Sequence, residues 1–201
     1  MLNLISQERL IQMPPAGIPE EARELLVARA ETEHGFVSEE DGNPDVTNWY
    51  ALEGRESVHT YFAQHVLALG SFSQQTLEVV DLAESGRCVG AGQVRFPGRN
   101  NAGFFEQPFV GWNSTRPDAQ NKGLGTRRLL AMHAATSALF NLPLSSGGIE
   151  AQHRFSEEPR FRMWRTLERE GLVAVHAVSQ QFLRYRFLDA NSTSVAYQTA
   201  A

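Results

Sequence analysis

The sequence is poor in the residues that build disulfide frameworks and metal centres. Cys88 is the single cysteine among 201 residues, so an intrachain disulfide is excluded. It stands in an alternating stretch, which favours a packed thiol over a nucleophile. The six histidines form no i,i+4 pair and have no cysteine or carboxylate companion at ligand spacing. No metal site is therefore predicted.

Long apolar runs and an excess of positive charge are also missing. No stretch approaches the ~20 apolar residues of a membrane span, and the N-terminus lacks the basic-then-apolar pattern of a secretion signal. We therefore expect a cytoplasmic protein with no membrane partner. The net charge of −5 disfavours nonspecific attraction to nucleic acid. Nucleic acid stays open as an alternative partner, because the chain has arginines able to form a local basic patch: Arg127, Arg128, Arg154, Arg160 and Arg162.

The composition is that of a globular chain. With 42% hydrophobic and 20% charged residues, it is long enough to bury one sizeable core. We predict a single domain over residues 1–190 and a polar, disordered tail over residues 191–201.

Helices and strands are predicted from the spacing of apolar residues and from start, stop and turn signals. The predicted helices cover residues 18–34, 55–69 and 124–140, and a fourth begins at an N-cap on Ser156 and ends before Gly171. The predicted strands cover residues 2–11, 76–83, 88–96, 105–115, 144–151, 172–178 and 181–188.

The most informative segment covers residues 116–126 and reads Arg-Pro-Asp-Ala-Gln-Asn-Lys-Gly-Leu-Gly-Thr. It joins a predicted strand to a predicted helix. Two glycines at a helix entry let backbone N–H groups approach an anion, and the positive end of the helix dipole points the same way. The spacing is neither G-x-G-x-x-G nor G-x-x-x-x-G-K-[ST], which bind dinucleotides and nucleotides. The segment indicates a phosphorylated cofactor, with a plain tight turn as the alternative interpretation.

Residues 120–125 form a Q-x-x-G-x-G pattern, which resembles the acyl-CoA-binding signature of the GNAT acyltransferase superfamily. Pro117 lies three residues before Gln120, as is common in that family. The order of predicted elements over residues 2–188 is also similar, while motif-level similarity is confined to residues 107–140 and the end of the last helix. The resemblance implies the α/β (α+β) GNAT fold, a mixed, mainly antiparallel twisted sheet of about seven strands with helices on both faces.

The resemblance implies transfer of an acyl group, usually acetyl, from acetyl-CoA or another acyl-CoA to a primary amine of a small molecule or protein. The strand end at 113–115 is expected to pair with the pantetheine arm, and the backbone amides of 120–126 are expected to hold the pyrophosphate. The implied cofactor-binding residues are Asn113, Ser114, Thr115, Gln120, Asn121, Lys122, Gly123, Leu124, Gly125, Thr126 and Arg160. The resemblance is also compatible with a homodimer.

The chemistry requires that the acceptor amine lose a proton, because an alkylamine with a pKa near ~10 is protonated at neutral pH. Glu106 and Glu150 are the candidate bases, with His153 as a third. Each also fits a solvated surface group. Backbone N–H groups are able to stabilise the oxyanion.

The acid that protonates the departing thiolate is less well defined. Many family members use a tyrosine on the last helix, but aligning on Gly171 places Leu167 at that position. Water, Tyr185, or no specific group are the remaining choices. This departure keeps open a second hypothesis, a GNAT-like module that binds acyl-CoA without turnover. Modification of a base amine on nucleic acid is the least favoured hypothesis.

Overall fold

The structure is a computed structural model, and it describes residues 9–33, 45–53, 58–69, 72–96, 107–188 and 196–199. Within these residues the chain forms one sheet and three α-helices. The helices are α1 (Glu20–Glu33), α2 (Leu124–Phe140) and α3 (Pro159–Arg169). The strands are β1 (Arg9–Met13), β2 (Asp45–Glu53), β3 (Val58–Leu69), β4 (Phe72–Ala83), β5 (Cys88–Phe96), β6 (Phe109–Thr115), β7 (Ser145–Ser146), β8 (Ile149–Glu150), β9 (Val173–Ala177), β10 (Phe182–Phe187) and β11 (Ala196–Thr199).

The sheet is open and mostly antiparallel. Its hydrogen-bonded order is β11-β1-β2-β3-β4-β5-β6-β7-β10-β8, and β9 pairs with β10. Among the described strands, only β1 with β11 and β6 with β7 run parallel. The prediction of a mixed, mainly antiparallel sheet is therefore confirmed. The predicted number of strands is wrong, because the sheet has eleven rather than about seven.

The largest error lies in the predicted helix at residues 55–69. Val58–Leu69 is instead β3, which pairs with β2 on one side and β4 on the other. Val58, Phe62 and Val66 recur every four residues, a spacing that fits one face of a helix and equally one face of a strand. β2 was not predicted at all.

Three smaller differences concern a divided strand, the start of a helix and a strand near the C-terminus. The predicted strand at 144–151 is divided at Gly147 and Gly148 into β7 and β8. α3 begins at Pro159 after Glu158, so the N-cap predicted at Ser156 is wrong. Within the tail predicted to be disordered, residues 196–199 form β11 and pair with β1. The other predicted helices and strands agree with the structure to within a few residues where it describes them.

Helices cover both faces of the sheet, as predicted. On the α1 face, Ala22 and Leu26 of α1 pack against a cluster of sheet residues that includes Ala63 and Val80. Neighbouring residues of a strand point to opposite faces. Accordingly, Phe62, Val79 and Val94 lie on the other face, here called the α2 face. They pack there against Leu129 and Met132 of α2 and Leu167 of α3.

Candidate cofactor and catalytic site

The turn between β6 and α2 presents backbone amides at the surface. Asn121 and Gly123 have left-handed backbone, with φ of 61° and 77°. The first amide of α2 with an intrahelical acceptor is that of Arg127, which donates to the carbonyl of Gly123 at 3.0 Å. The preceding N–H groups of the first turn are the ones that a helix leaves without partners. Residues 120–123 of the turn are exposed and residues 124–126 are half-buried, at the positive end of the helix dipole.

The space around the two glycines of this turn is open. A Cβ on Gly123 would meet no atom within 4 Å. A Cβ on Gly125 would lie 3.6 Å from Thr115 Oγ1 and 3.8 Å from Met163 Sδ, which is ordinary van der Waals contact. Lys122, exposed on the same turn, adds a positive charge. Such an arrangement suits a phosphate or diphosphate.

β6 has an unpaired edge directly before this turn. It pairs with β7 only at Phe109 and Val110, although the strand continues to Thr115. We call the space beyond these two pairs, where β6 and β7 separate, the gap. The amide of Arg116 donates to the carbonyl of Val89 on β5 at 3.0 Å. Because residues of an antiparallel strand bond alternately to either side, Asn113 and Thr115 direct their backbone groups toward the gap.

Of the three residues predicted to pair with the pantetheine arm, two therefore face the gap and one does not. Thr115 and Asn113 face the gap, and the carbonyl of Thr115 accepts a hydrogen bond from Gln120 Nε2 at 3.1 Å. The carbonyl of Ser114 accepts instead from Arg128 Nη1 at 2.7 Å. Ser114 thus belongs to the side of the strand that bonds to β5.

Sequence reasoning missed the residue that holds this site together. Arg128 is fully buried, and its Nε lies 2.8 Å from Oδ2 of Asp81, which is also fully buried. Besides Ser114 O, Arg128 Nη1 donates to Asn113 Oδ1 at 2.7 Å, and Asn113 Nδ2 donates to the carbonyl of Gly125 at 2.9 Å. The guanidinium thereby fixes the end of β6 against the first turn of α2. The signal in the sequence was Gly90, since a Cβ there would overlap Arg128 Nη2.

The network extends across the sheet to β3. Thr60 Oγ1 donates to Asp81 Oδ1 at 2.8 Å and accepts from Arg127 Nη1 at 2.9 Å. Three of the five arginines for which the sequence left a basic patch open are therefore already paired. Arg127 and Arg128 are engaged in this network, and Arg154 pairs with Glu168 at 2.8 Å.

Tyr185, a candidate acid, lies fully buried on β10. Its ring stacks on Trp164 with centroids 5.7 Å apart, and its amide donates to Ser146 Oγ on β7 at 2.9 Å. Burial, followed by the negative charge of Glu168, raises the pKa of the Tyr185 hydroxyl, and Arg154 opposes this. The phenol therefore stays protonated at neutral pH.

Of the candidate bases, the structure describes Glu150 and His153 but not Glu106. Glu106 lies outside the described residues. Glu150 is exposed on β8, where its Oε2 accepts from Gln152 Nε2 at 2.6 Å and lies 3.8 Å from His153 Nδ1. The structure thus brings Glu150 and His153 together. They are separated from the gap by the glycine pair that follows β7.

The last predicted cofactor residue, Arg160, is exposed in the first turn of α3. Its Nε pairs with Glu158 Oε2 at 2.9 Å, and its guanidinium lies 4.4 Å from the ring centroid of Phe161. No described contact joins Arg160 to the turn at 120–126. Leu167, at the position where the family often has tyrosine, is fully buried in the core.

Metal centres and membrane-spanning helices have no candidates among the described residues. In that part of the chain, no group of three or more histidine, cysteine, aspartate or glutamate side chains is placed to hold a metal ion. None of the described helices combines the length and hydropathy that crossing a membrane requires. No protein-family model matches the sequence, and no curated protein matches it significantly.

Proposed function

We propose that this protein is an acyl-CoA-dependent N-acyltransferase of the GNAT type, which transfers an acetyl or other acyl group to a primary amine of a small molecule or protein. The observation that carries the proposal is the adjacency of two features. The edge of β6 at Asn113 and Thr115, which has no pairing with β7, leads directly into the turn that opens α2. An edge strand suits the amide-bearing arm of coenzyme A, and the helix entry suits its pyrophosphate.

Because a thioester is already activated, the main task of the protein is to place the amine next to the thioester carbonyl. The amine nitrogen must be held unprotonated ~3 Å from the carbonyl carbon. In this proposal Glu150, with His153 beside it, receives the amine proton directly or through water, and Glu106 is the alternative base. Tyr185 remains neutral at physiological pH and is the candidate donor to the departing thiolate.

Coenzyme A binding to two matched glycine variants tests the proposal. Gly123 and Gly171 both have left-handed backbone, with φ of 77° and 72°, and a Cβ at either would meet no atom within 4 Å. Gly123→Glu and Gly171→Glu therefore impose similar backbone strain, but only the first places a carboxylate at the entry to α2. By isothermal titration, we expect Gly123→Glu to abolish coenzyme A binding and Gly171→Glu to retain it. Tight binding by Gly123→Glu would contradict the proposal.

A second candidate is a module that binds acyl-CoA without turnover. It is favoured by Leu167, which places a buried aliphatic side chain where the family often has the acidic tyrosine. A thiol-release assay with acetyl-CoA and a broad panel of amines separates the two. Binding without any release across the panel supports the module, and amine-dependent release supports the enzyme.

A further inference from the structure

Two adjacent glycines interrupt the strand that leaves the gap. Gly147 and Gly148 lie between β7 and β8, and neither has left-handed backbone. A Cβ on Gly147 would lie 4.0 Å from Phe109 Cδ2, and a Cβ on Gly148 would lie 3.9 Å from Phe182 Cδ1. No described atom would be closer than 3.9 Å to either Cβ. Glycine weakens a strand, yet neither the backbone conformation nor packing among the described residues requires it here.

Backbone without side chains suits a ligand that lies directly against it. Here that backbone lies between two aromatic rings, those of Phe109 and Phe182. Gly148 is exposed, and Phe182 beside it is 41% exposed. We call the space over the two glycines, between these two rings, the glycine cleft. Its walls are apolar and its floor is peptide backbone, which is the surface that a flat aromatic group covers best.

The glycine cleft opens on the α1 face of the sheet. Phe182 is opposite Glu150, and the next pair along, Leu183 with Ile149, packs in the core of the α2 face. Because neighbouring residues of a strand point to opposite faces, the side chains of Phe182 and Glu150 both point to the α1 face. Phe109 does so too, since its neighbour on β6 packs in the core of the α2 face. α1 itself packs on β3 and β4, several strands away in the sheet order.

Glu150 places a carboxylate beside the cleft. Side chains directly opposite each other on antiparallel strands have Cβ atoms about 5 Å apart, which sets the distance between Glu150 and Phe182. The contacts of Glu150 with Gln152 and His153 both involve Oε2. Among the described residues, nothing bonds to Oε1. A free carboxylate oxygen next to an aromatic ring complements an ammonium group that is attached to an apolar body.

The carboxylate also lies near the proposed position of the thioester. β6 and β7 are parallel, with Val110 opposite Ser146 at the last pair. Counted onward from that pair along both strands, Glu150 is about level with Ser114, on the other side of the gap. The edge of β6 assigned to the pantetheine arm is at Asn113 and Thr115. An amine nitrogen held by Glu150 therefore faces that edge.

We propose that the acceptor is a primary amine that carries an aryl group. The ring lies over Gly147 and Gly148 between Phe109 and Phe182, and Glu150 holds the amine nitrogen. This inference rests on the proposed acyltransferase function. The ammonium gives one proton to Glu150, and the neutral nitrogen then forms the amide bond while the carbon–sulfur bond of the thioester breaks. The second proton lost by the nitrogen is balanced by protonation of the departing thiolate.

Direct binding of three matched probes tests the inference without requiring turnover. Phenethylamine has both the ring and the ammonium group, ethylamine lacks the ring, and phenethyl alcohol lacks the charge. By isothermal titration of the full chain, with and without coenzyme A, we expect phenethylamine to bind about tenfold or more tightly than either of the others. Burial of a ring and a charge-assisted hydrogen bond each contribute on that scale.

Variants assign the two preferences to the cleft. Phe182→Ala and Gly148→Leu should each reduce the preference over ethylamine about tenfold, the first by removing a wall and the second by filling the space. Glu150→Gln should remove the preference over phenethyl alcohol and keep the preference over ethylamine. Leu188→Ala is the control, because it truncates an exposed apolar side chain beyond the other end of β10.

The control should bind all three probes as the unchanged protein does. The inference is overturned if phenethylamine is not preferred over both matched probes. It is also overturned if the preference over ethylamine survives in both Phe182→Ala and Gly148→Leu, because the ring is then bound elsewhere.

The two levels of the proposal fail separately. If phenethylamine binds with the expected dependence on the cleft but coenzyme A does not bind, the cleft stands and the acyltransferase assignment is wrong. If coenzyme A binds and the ring brings no preference, the acyltransferase assignment stands and the aryl-amine cleft is wrong.

Discussion

At the scale of single residues, Arg128 determines the shape of the candidate site. A buried guanidinium is tolerated only when its donors and its charge are satisfied, and here Asp81 supplies the charge while Asn113 and Ser114 supply acceptors. The side chain needs room against β5, which Gly90 provides because it has no Cβ. The geometry of the β6 edge thus depends on a residue that touches no proposed ligand.

Substitution of Gly90 tests this dependence. In Gly90→Ala the added methyl group overlaps Arg128 Nη2 and also lies 2.8 Å from the carbonyl of Ser114, so the guanidinium must shift. We expect a loss of about 1–3 kcal/mol in the free energy of unfolding, measured by urea denaturation. Gly125→Ala is the matched control, since its Cβ makes only ordinary contacts and its backbone is helical. Equal stability of the two variants would show that Gly90 is not needed for Arg128.

At the scale of elements, a buried ion pair joins α2 to the centre of the sheet. Asp81 lies on β4 and Arg128 in the first turns of α2, and both side chains are fully buried. Thr60 of β3 and the end of β6 join the same network. The entry to α2 is therefore held by several strands rather than by its own turn alone.

Removing the carboxylate charge tests this connection. Asp81→Asn leaves the Arg128 guanidinium buried without a counter-charge, so we expect about 3–5 kcal/mol of destabilisation in urea denaturation. Asp118→Asn is the control, because it removes a carboxylate that pairs with Arg87 at 2.6 Å but is exposed. A much smaller change is expected there. Similar losses in the two variants would contradict a buried, stabilising role for the Asp81–Arg128 pair.

Elements with clear start and stop signals in the sequence are predicted correctly, and elements defined by strand pairing are not. α2 is bounded by a left-handed glycine and a left-handed Asn141, and its extent agrees with the prediction. β3 was mistaken for a helix because a four-residue apolar spacing fits both periods, and only its pairing with β2 and β4 decides between them. The same limit applies to the site. The helix entry is visible in a local motif, whereas the role of Arg128 depends on its contacts with β4 and β6, strands distant in sequence.

At the scale of the whole molecule, the sheet has helices on both faces and is interrupted where β6 and β7 separate. α2 and α3 pack on one face, and α1 packs on the other. Along most of the strand order, neighbouring strands hydrogen-bond and close the sheet, but β6 and β7 pair for only two residues. Beyond these two residues, β6 has no hydrogen-bonded pairing with β7 at Asn113 and Thr115.

The most direct measurement is a crystal structure of the protein with bound coenzyme A. The account predicts that the pyrophosphate accepts hydrogen bonds from the backbone amides of residues 121–126. It also predicts that the pantetheine arm pairs with the backbone of Asn113 and Thr115 along the edge of β6. A coenzyme bound elsewhere on the molecule, with the β6 edge and the α2 entry unchanged, would contradict the account.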